Sequence, residues 1–177
     1  SWGMSRWTII SRSRQKLEHE WQGSQMKNRI RETAALRITI EREKLTRDEK
    51  NTAKIFEILE ECAIPCECLV IDADELSIAI RESERGKVGL LMATLGQQME
   101  EVNVSINGEV TLLYVENEQM TCRGIGMIDS SLALQDIEIV MQRYFKSRDR
   151  FVIGVPTQEA DRAVQIITGI IDAGYRI

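Results

Sequence analysis

The chain has 177 residues, 43% hydrophobic and 29% charged, with a formal net charge of -5. Those proportions lie in the globular range, so a packed core is expected, in one ordinary domain or two small ones. No apolar run is long enough to span a bilayer and no secretory signal opens the chain, so no membrane partner is expected and the cytoplasm is the expected compartment.

Charge is uneven along the chain. Residues 1–34 carry seven Lys/Arg against three Asp/Glu, a balance of +4, which leaves -9 for the remainder. An acidic body is a poor nucleic-acid surface, so no nucleic-acid partner is expected. Residues 1–34 read as an arm or linker. Trp2, Trp7 and Ile9-Ile10 are apolar, and the composition of 13–34 favours partial helix with Leu17, Trp21 and Ile30 inward. Cys62, Cys66 and Cys68 lack a second Cys/His pair, and the single histidine, His19, is far off. They read as buried thiols, with no metal or other cofactor expected.

From Ala35, the alternation of Leu36, Ile38 and Ile40 with polar neighbours predicts a strand. Thr46-Arg47-Asp48-Glu49 has capping-box spacing, with Thr46 as the cap. The helix that follows places Ala53, Phe56, Leu59 and Ala63 on one side, flanked by Ile55 and Cys62, and Pro65 ends it. Cys66, Cys68 and Val70 alternate in a strand that turns at Asp72-Ala73-Asp74-Glu75 into an antiparallel partner with Leu76, Ile78 and Ile80. Val88, Leu91, Met92, Leu95 and Met99 form an amphipathic stripe, and Val102, Val104 and Ile106 a short strand.

Asn107-Gly108 is a strong hairpin-turn signal, and the same order restarts after it. Val110, Leu112, Leu113 and Val115 predict a strand. Gly124-Ile125-Gly126 leads into a helix of about ten residues with Met127, Ile128, Leu132 and Leu134 apolar. Ile137, Ile139 and Met141 alternate as a strand, and Phe151, Val152, Ile153 and Val155 follow a charged turn at 146–149. Thr157 is a good N-cap for a last helix buried through Ala160, Ala163, Val164, Ile167 and Ile171, with Gly174 at its end. Residues 175–177 are too short for a full final strand. The expectation is α+β: two tandem ferredoxin-like βαββαβ units with antiparallel sheets and helices on one face, at 35–107 and 108–177.

The segments Ala53-Lys54-Ile55-Phe56-Glu57-Ile58-Leu59 and Ala63-Ile64-Pro65-Cys66-Glu67-Cys68 carry a resemblance. So do Asp136-Ile137-Glu138-Ile139, Phe151-Val152-Ile153-Gly154-Val155 and Ala160-Asp161-Arg162-Ala163-Val164. Their register, over about residues 35–172, resembles the paired ACT domains at the C-terminus of aspartokinases. That family has Pro-Gly where this chain has Thr46-Arg47-Asp48-Glu49 and Arg123-Gly124-Ile125-Gly126. The resemblance implies a regulatory module that binds a small amino-acid effector, of the lysine or threonine class, at the unit or dimer interface. It also implies a kinase domain or subunit as partner, and the exposed sheet edges of such units favour pairing between copies, so a homodimer is expected.

Effector contacts are then expected from Thr46, Arg47, Asp48, Glu67, Met120, Thr121, Arg123, Gly124, Ile125, Gly126, Ile137 and Glu138. A loop entering a helix offers N–H groups and the positive dipole end to a carboxylate. Gly124 and Gly126 either let backbone approach a ligand or shape a tight turn. Glu67 and Glu138 either hold a ligand ammonium or face solvent. No catalytic residue is assigned, because the chain has no Gly-rich phosphate loop followed by Lys, no Asp/Asn set for Mg²⁺, and no Ser-His or Cys-His neighbourhood. The alternative reading is a ligand-free ACT-like dimerisation module.

Overall fold

Two long strands cross the middle of the molecule and everything else is arranged on either side of them. The structure is a computed structural model that describes residues 30–116, 121–145 and 150–173. The expectations placed on residues 1–29, Met120, the turn at 146–149 and residues 174–177 lie outside the described residues.

The elements are β1 (Ile30–Glu41), α1 (Glu49–Glu61), β2 (Cys68–Ile71), β3 (Glu75–Arg81), α2 (Val88–Gln98) and β4 (Asn103–Glu116). After them come α3 (Cys122–Leu134), β5 (Met141–Phe145), β6 (Arg150–Pro156) and α4 (Ala160–Asp172). The architecture is α+β. The described strands form one six-stranded antiparallel sheet in the order β2-β3-β1-β4-β6-β5, in place of the two sheets expected from the repeat.

The reason for a single sheet lies at Asn107-Gly108. These residues do not turn the chain back; they sit inside β4 as a bulge. Leu36 faces Glu109 and Ile38 faces Ile106, so Arg37 opposes two residues, and Gly108 takes a φ of 91°. An extra residue flips the alternation of a strand from one face to the other. Val104 before the bulge and Leu113 and Val115 after it therefore all pack on the helix side. β1 likewise begins earlier than its alternation suggests. Ile30 to Ala34, expected at the end of a helical segment, pair with Val115 to Thr111. Tertiary pairing overrides local propensity there.

Helices α1 and α2 cover one half of the sheet and α3 and α4 the other. The inward face of α1 is Ile55, Ile58, Leu59 and Cys62, a clean i, i+3, i+4, i+7 stripe, so the expected stripe is rotated. Ala53 and Ala63 are exposed, and Phe56 keeps 39% of its surface in water. Val88, Leu91, Leu95 and Met99 are buried as expected, while Met92 is not. Thr157 does not cap α4, whose N-cap is Glu159; its hydroxyl meets that of Thr111 at 3.2 Å. The strand expected from Ile137 begins only at Met141.

The helix-free face has its own cluster, with Ala35, Cys68, Ala79, Val110, Leu112, Tyr114, Met141 and Val152 all buried. A flat sheet would leave these side chains in water. The sheet instead curls, and its two edge strands, β2 and β5, approach each other. Gly154 lies inside the curl, where an added Cβ would come within 2.8 Å of Met141 Cγ.

Two helix ends share one geometry. After α1, Ala63 adopts a φ of 53° while Ile64 N–H donates to Leu59 O at 2.9 Å and Ala63 N–H to Glu60 O at 3.0 Å. After α3, Asp136 adopts 55° with the matching bonds from Ile137 to Leu132 O and from Asp136 to Ala133 O. This is the Schellman arrangement, whose left-handed position favours glycine. Ala63→Gly is therefore expected to raise unfolding stability by about 1 kcal/mol, read from urea denaturation; an unchanged or lowered midpoint contradicts the assignment.

Candidate functional site

Two helix lead-ins, ahead of α1 and α3, carry most of the residues expected to contact a ligand, and they differ in chemistry. Ahead of α1 the chain is clamped to the β2–β3 turn. Lys44 N–H donates to Asp74 Oδ1 at 2.6 Å and Arg42 N–H to Asp74 O at 3.0 Å. Thr46 N–H donates to Ala73 O at 3.1 Å, and the Thr46 hydroxyl to Asp72 O at 2.6 Å. Thr46 is therefore a tether and not the cap. The N-cap is Asp48, whose Oδ1 accepts from Lys50 N–H at 3.0 Å. A carboxylate of the chain's own already stands at the positive end of α1. Arg47 is exposed beside it.

Ahead of α3 the cap is neutral. Thr121 Oγ1 accepts from Gly124 N–H at 3.1 Å, and Ile125 N–H closes the first turn on Thr121 O at 3.1 Å. The helix therefore starts before Gly124-Ile125-Gly126, not after it, which removes the tight-turn explanation for the glycines. Gly124 is buried, Ile125 half-buried, and Arg123 and Gly126 are exposed. A Cβ on Gly126 would meet nothing within 4 Å.

The remaining candidates do not gather at either lead-in. Ile137 is a buried core residue packed under α3 and α4. Glu138 is exposed on the extended segment before β5. Glu67 lies at the far end of β2 from the turn that holds Thr46, about 16 Å along the strand. It is neither solvent-facing nor without partners: its side chain is 16% exposed, Oε1 accepts from Arg81 Nε at 2.6 Å and Oε2 from the Tyr114 hydroxyl at 2.8 Å. Nor is Glu67 the counterpart of Glu138. Glu67 N–H donates to Ala79 O, and the residue making the matching bond, to Gly154 O, is Val140.

Tyr114, Arg81 and Arg31 were not singled out by the sequence. The available signal was one aromatic in an otherwise aliphatic strand. Arg31 stacks over the Tyr114 ring at 4.5 Å. Burial, then the hydrogen bond to Glu67, pushes the Tyr114 phenol well above its ordinary range, so it stays a donor.

The cysteines gather no metal ligands. Among the described residues no cluster of three or more His, Cys, Asp or Glu side chains could hold a metal ion. Cys62 and Cys68 are buried as expected, whereas Cys66 and Cys122 are exposed. The Cys66 residue is open to solvent, yet its Sγ turns back to donate to Cys68 O at 3.3 Å. Burial of the sulfur, reinforced by Cys68, pushes that thiol up to about 11.

The regulatory subunit of aspartate kinase from Thermus flavus superposes with a TM-score of 0.67 at 11% identity, over 80% of this chain and 96% of that one. The aspartate kinase of Clostridium acetobutylicum, described as an allosteric enzyme, gives 0.66 at 19% identity over 78% of this chain. The chain has the fold of aspartate kinase regulatory regions. It spans about a third (33%) of the Clostridium acetobutylicum enzyme. Escherichia coli aspartokinase III, solved with lysine and aspartate, superposes at 0.54 with 16% identity, over 79% of this chain and 31% of that one. No protein-family description and no curated protein matches the sequence.

Two outcomes follow from the local chemistry. The rate at which Cys66 alkylates with iodoacetamide is expected to keep rising with pH up to about 11, well past the point where an ordinary thiol of pKa about 8.5 levels off; peptide mapping that finds its labelling rate already level by about pH 10 contradicts its geometry. Asp129 on α3 has a buried Oδ1 without a partner among the described residues, and burial raises its carboxyl above the usual value although Gln142 partly offsets this. A raised acid favours the fold at low pH and loses that contribution as pH rises through the folded value. Asp129→Asn should therefore be more stable than wild type at pH 7, with the gain gone below about pH 4, as read from denaturation midpoints.

Proposed function

We propose that this chain is a regulatory module of the aspartate kinase type, sensing a small amino acid and passing its state to a kinase domain or subunit. The fold shared with aspartate kinase regulatory subunits over four-fifths of the chain is the observation that carries this reading. In it, the sheet is two ferredoxin-like βαββαβ units joined through β1 and β4. The strand order β2-β3-β1-β4 fits one unit, at 35–107. The order β5-β6-β4-β1 fits a second, at 108–177, completed by the opening residues of β1. The module itself performs no chemistry, works in the cytoplasm, and pairs with a second copy.

The α3 lead-in is the better effector site of the two. Its cap is uncharged, Arg123 stands in the first turn, and a carboxylate bound there gains from the helix dipole. An effector of the lysine or threonine class fits, its carboxylate at Thr121 to Gly126. By binding one arrangement of the sheet better than another, it shifts the population of that arrangement and the kinase with it. The clamped α1 lead-in, with Asp48 in the carboxylate position, favours a second reading for that half: a structural unit that keeps the fold and serves dimerisation.

Thermal denaturation against the twenty amino acids separates these. A binder at a hundred times its Kd should add about 2.7 kcal/mol, and lysine or threonine is expected to do so. Thr121→Asp keeps a competent cap but sets a carboxylate at the helix start, and should remove the shift while leaving the unliganded midpoint near wild type. No shift with any amino acid at millimolar concentration, with dimers still present by sedimentation, would leave the dimerisation reading in its place.

A further inference from the structure

The contact between Tyr114 and Glu67 is longer-range than its 2.8 Å suggests. Arg81, which holds the other oxygen of Glu67, faces Ala35 on β1, and Ala35 faces Val110 on β4. Glu67 therefore lies near the level of Val110. Tyr114 is four residues farther along β4, about 13 Å at the rise of a strand. It is also separated from β2 by β3 and β1, about 14 Å at the usual strand spacing. In a flat sheet these two side chains could not touch.

The curl that joins them is the same one that draws β2 towards β5. Tyr114 shares its cluster with Cys68, the first residue of β2, and Met141, the first residue of β5. Its ring is held from the other half, with Arg31 at 4.5 Å and Arg150 at 6.0 Å from the centroid, and Arg150 is paired to Glu116 at 2.9 Å. Glu67 is held from the first half by Arg81. One hydrogen bond thus joins two separately anchored groups, each on a different half of the sheet.

We propose that the Tyr114–Glu67 hydrogen bond is a latch that sets the curl of the sheet, and that its release lets the β2 edge move away from β5. It couples the bend between α1 and β2 to the β4–β6 half. The latch stands on intramolecular geometry alone and holds whether or not an amino acid binds the α3 lead-in.

Hydrogen–deuterium exchange on the whole chain tests it, with no ligand present. Tyr114→Phe keeps the ring, its cluster and its arginines while removing the donor. Exchange over 68–71 and 141–145 should rise by about tenfold or more while α1 and α3 keep wild-type rates. Glu67→Gln keeps an acceptor and should give a smaller rise at the same strands. The double variant should rise by less than the sum of the two single rises, because both changes act on the same bond. Wild-type rates in both edge strands overturn the proposal. So does a uniform rise across all elements, which marks a global stability loss, or a double variant whose effects simply add.

Discussion

The pairing of β1 with β4 is the constraint on which the rest of the molecule depends. Both strands are long, and each serves both halves: its inner residues pack under α1 and α2 at one end and under α3 and α4 at the other. The single residue inserted at the bulge makes this double service possible. Without it, the alternation that buries Val104 under α2 would turn Leu113 and Val115 away from α3 and α4. Gly108 supplies the backbone angle that lets the extra residue fit.

Much of the fold is legible in the sequence where burial follows one period over a whole element. Leu76, Ile78 and Ile80 on β3, and Val88, Leu91, Leu95 and Met99 on α2, are read correctly because their large apolar side chains keep one period along the element, although Met92, counted with them, is exposed. Helix α1 misleads because Phe56 and Ala53 offer a second apolar stripe beside the true one, and only the sheet beneath decides between them. Asn107-Gly108 misleads for a different reason. A hairpin turn and a bulge both call for a positive φ, and the difference lies in whether a partner strand runs past the spot. That partner, β1 at Arg37, lies 70 positions before Asn107 (107 − 37).

The candidate site was legible in outline and not in detail. Helix lead-ins are recognisable from capping residues, yet which residue caps was missed at both: Asp48 replaces Thr46, and Thr121 acts where Gly124 to Gly126 were expected to lie outside the helix. The hydroxyl of Thr46 is drawn off by carbonyls of the β2–β3 turn, a non-local competition that spacing cannot express. Glu67 illustrates the same limit. Its partners Arg81 and Tyr114 lie 14 and 47 positions away, and the curl that brings Tyr114 within reach is a property of the whole sheet.

The place of β1 in the strand order has a topological consequence. The half of the sheet under α1 and α2 and the half under α3 and α4 share both β1 and β4. The chain's first described strand doubles as the closing strand of the second half, so the two halves are linked like the ends of a belt rather than like beads on a thread. A cut at Asn107-Gly108 severs the longest strand in the sheet, and a fragment starting at Ala35 takes the closing strand from the half that does not contain it. A disturbance in one half has a covalent as well as a packed route into the other.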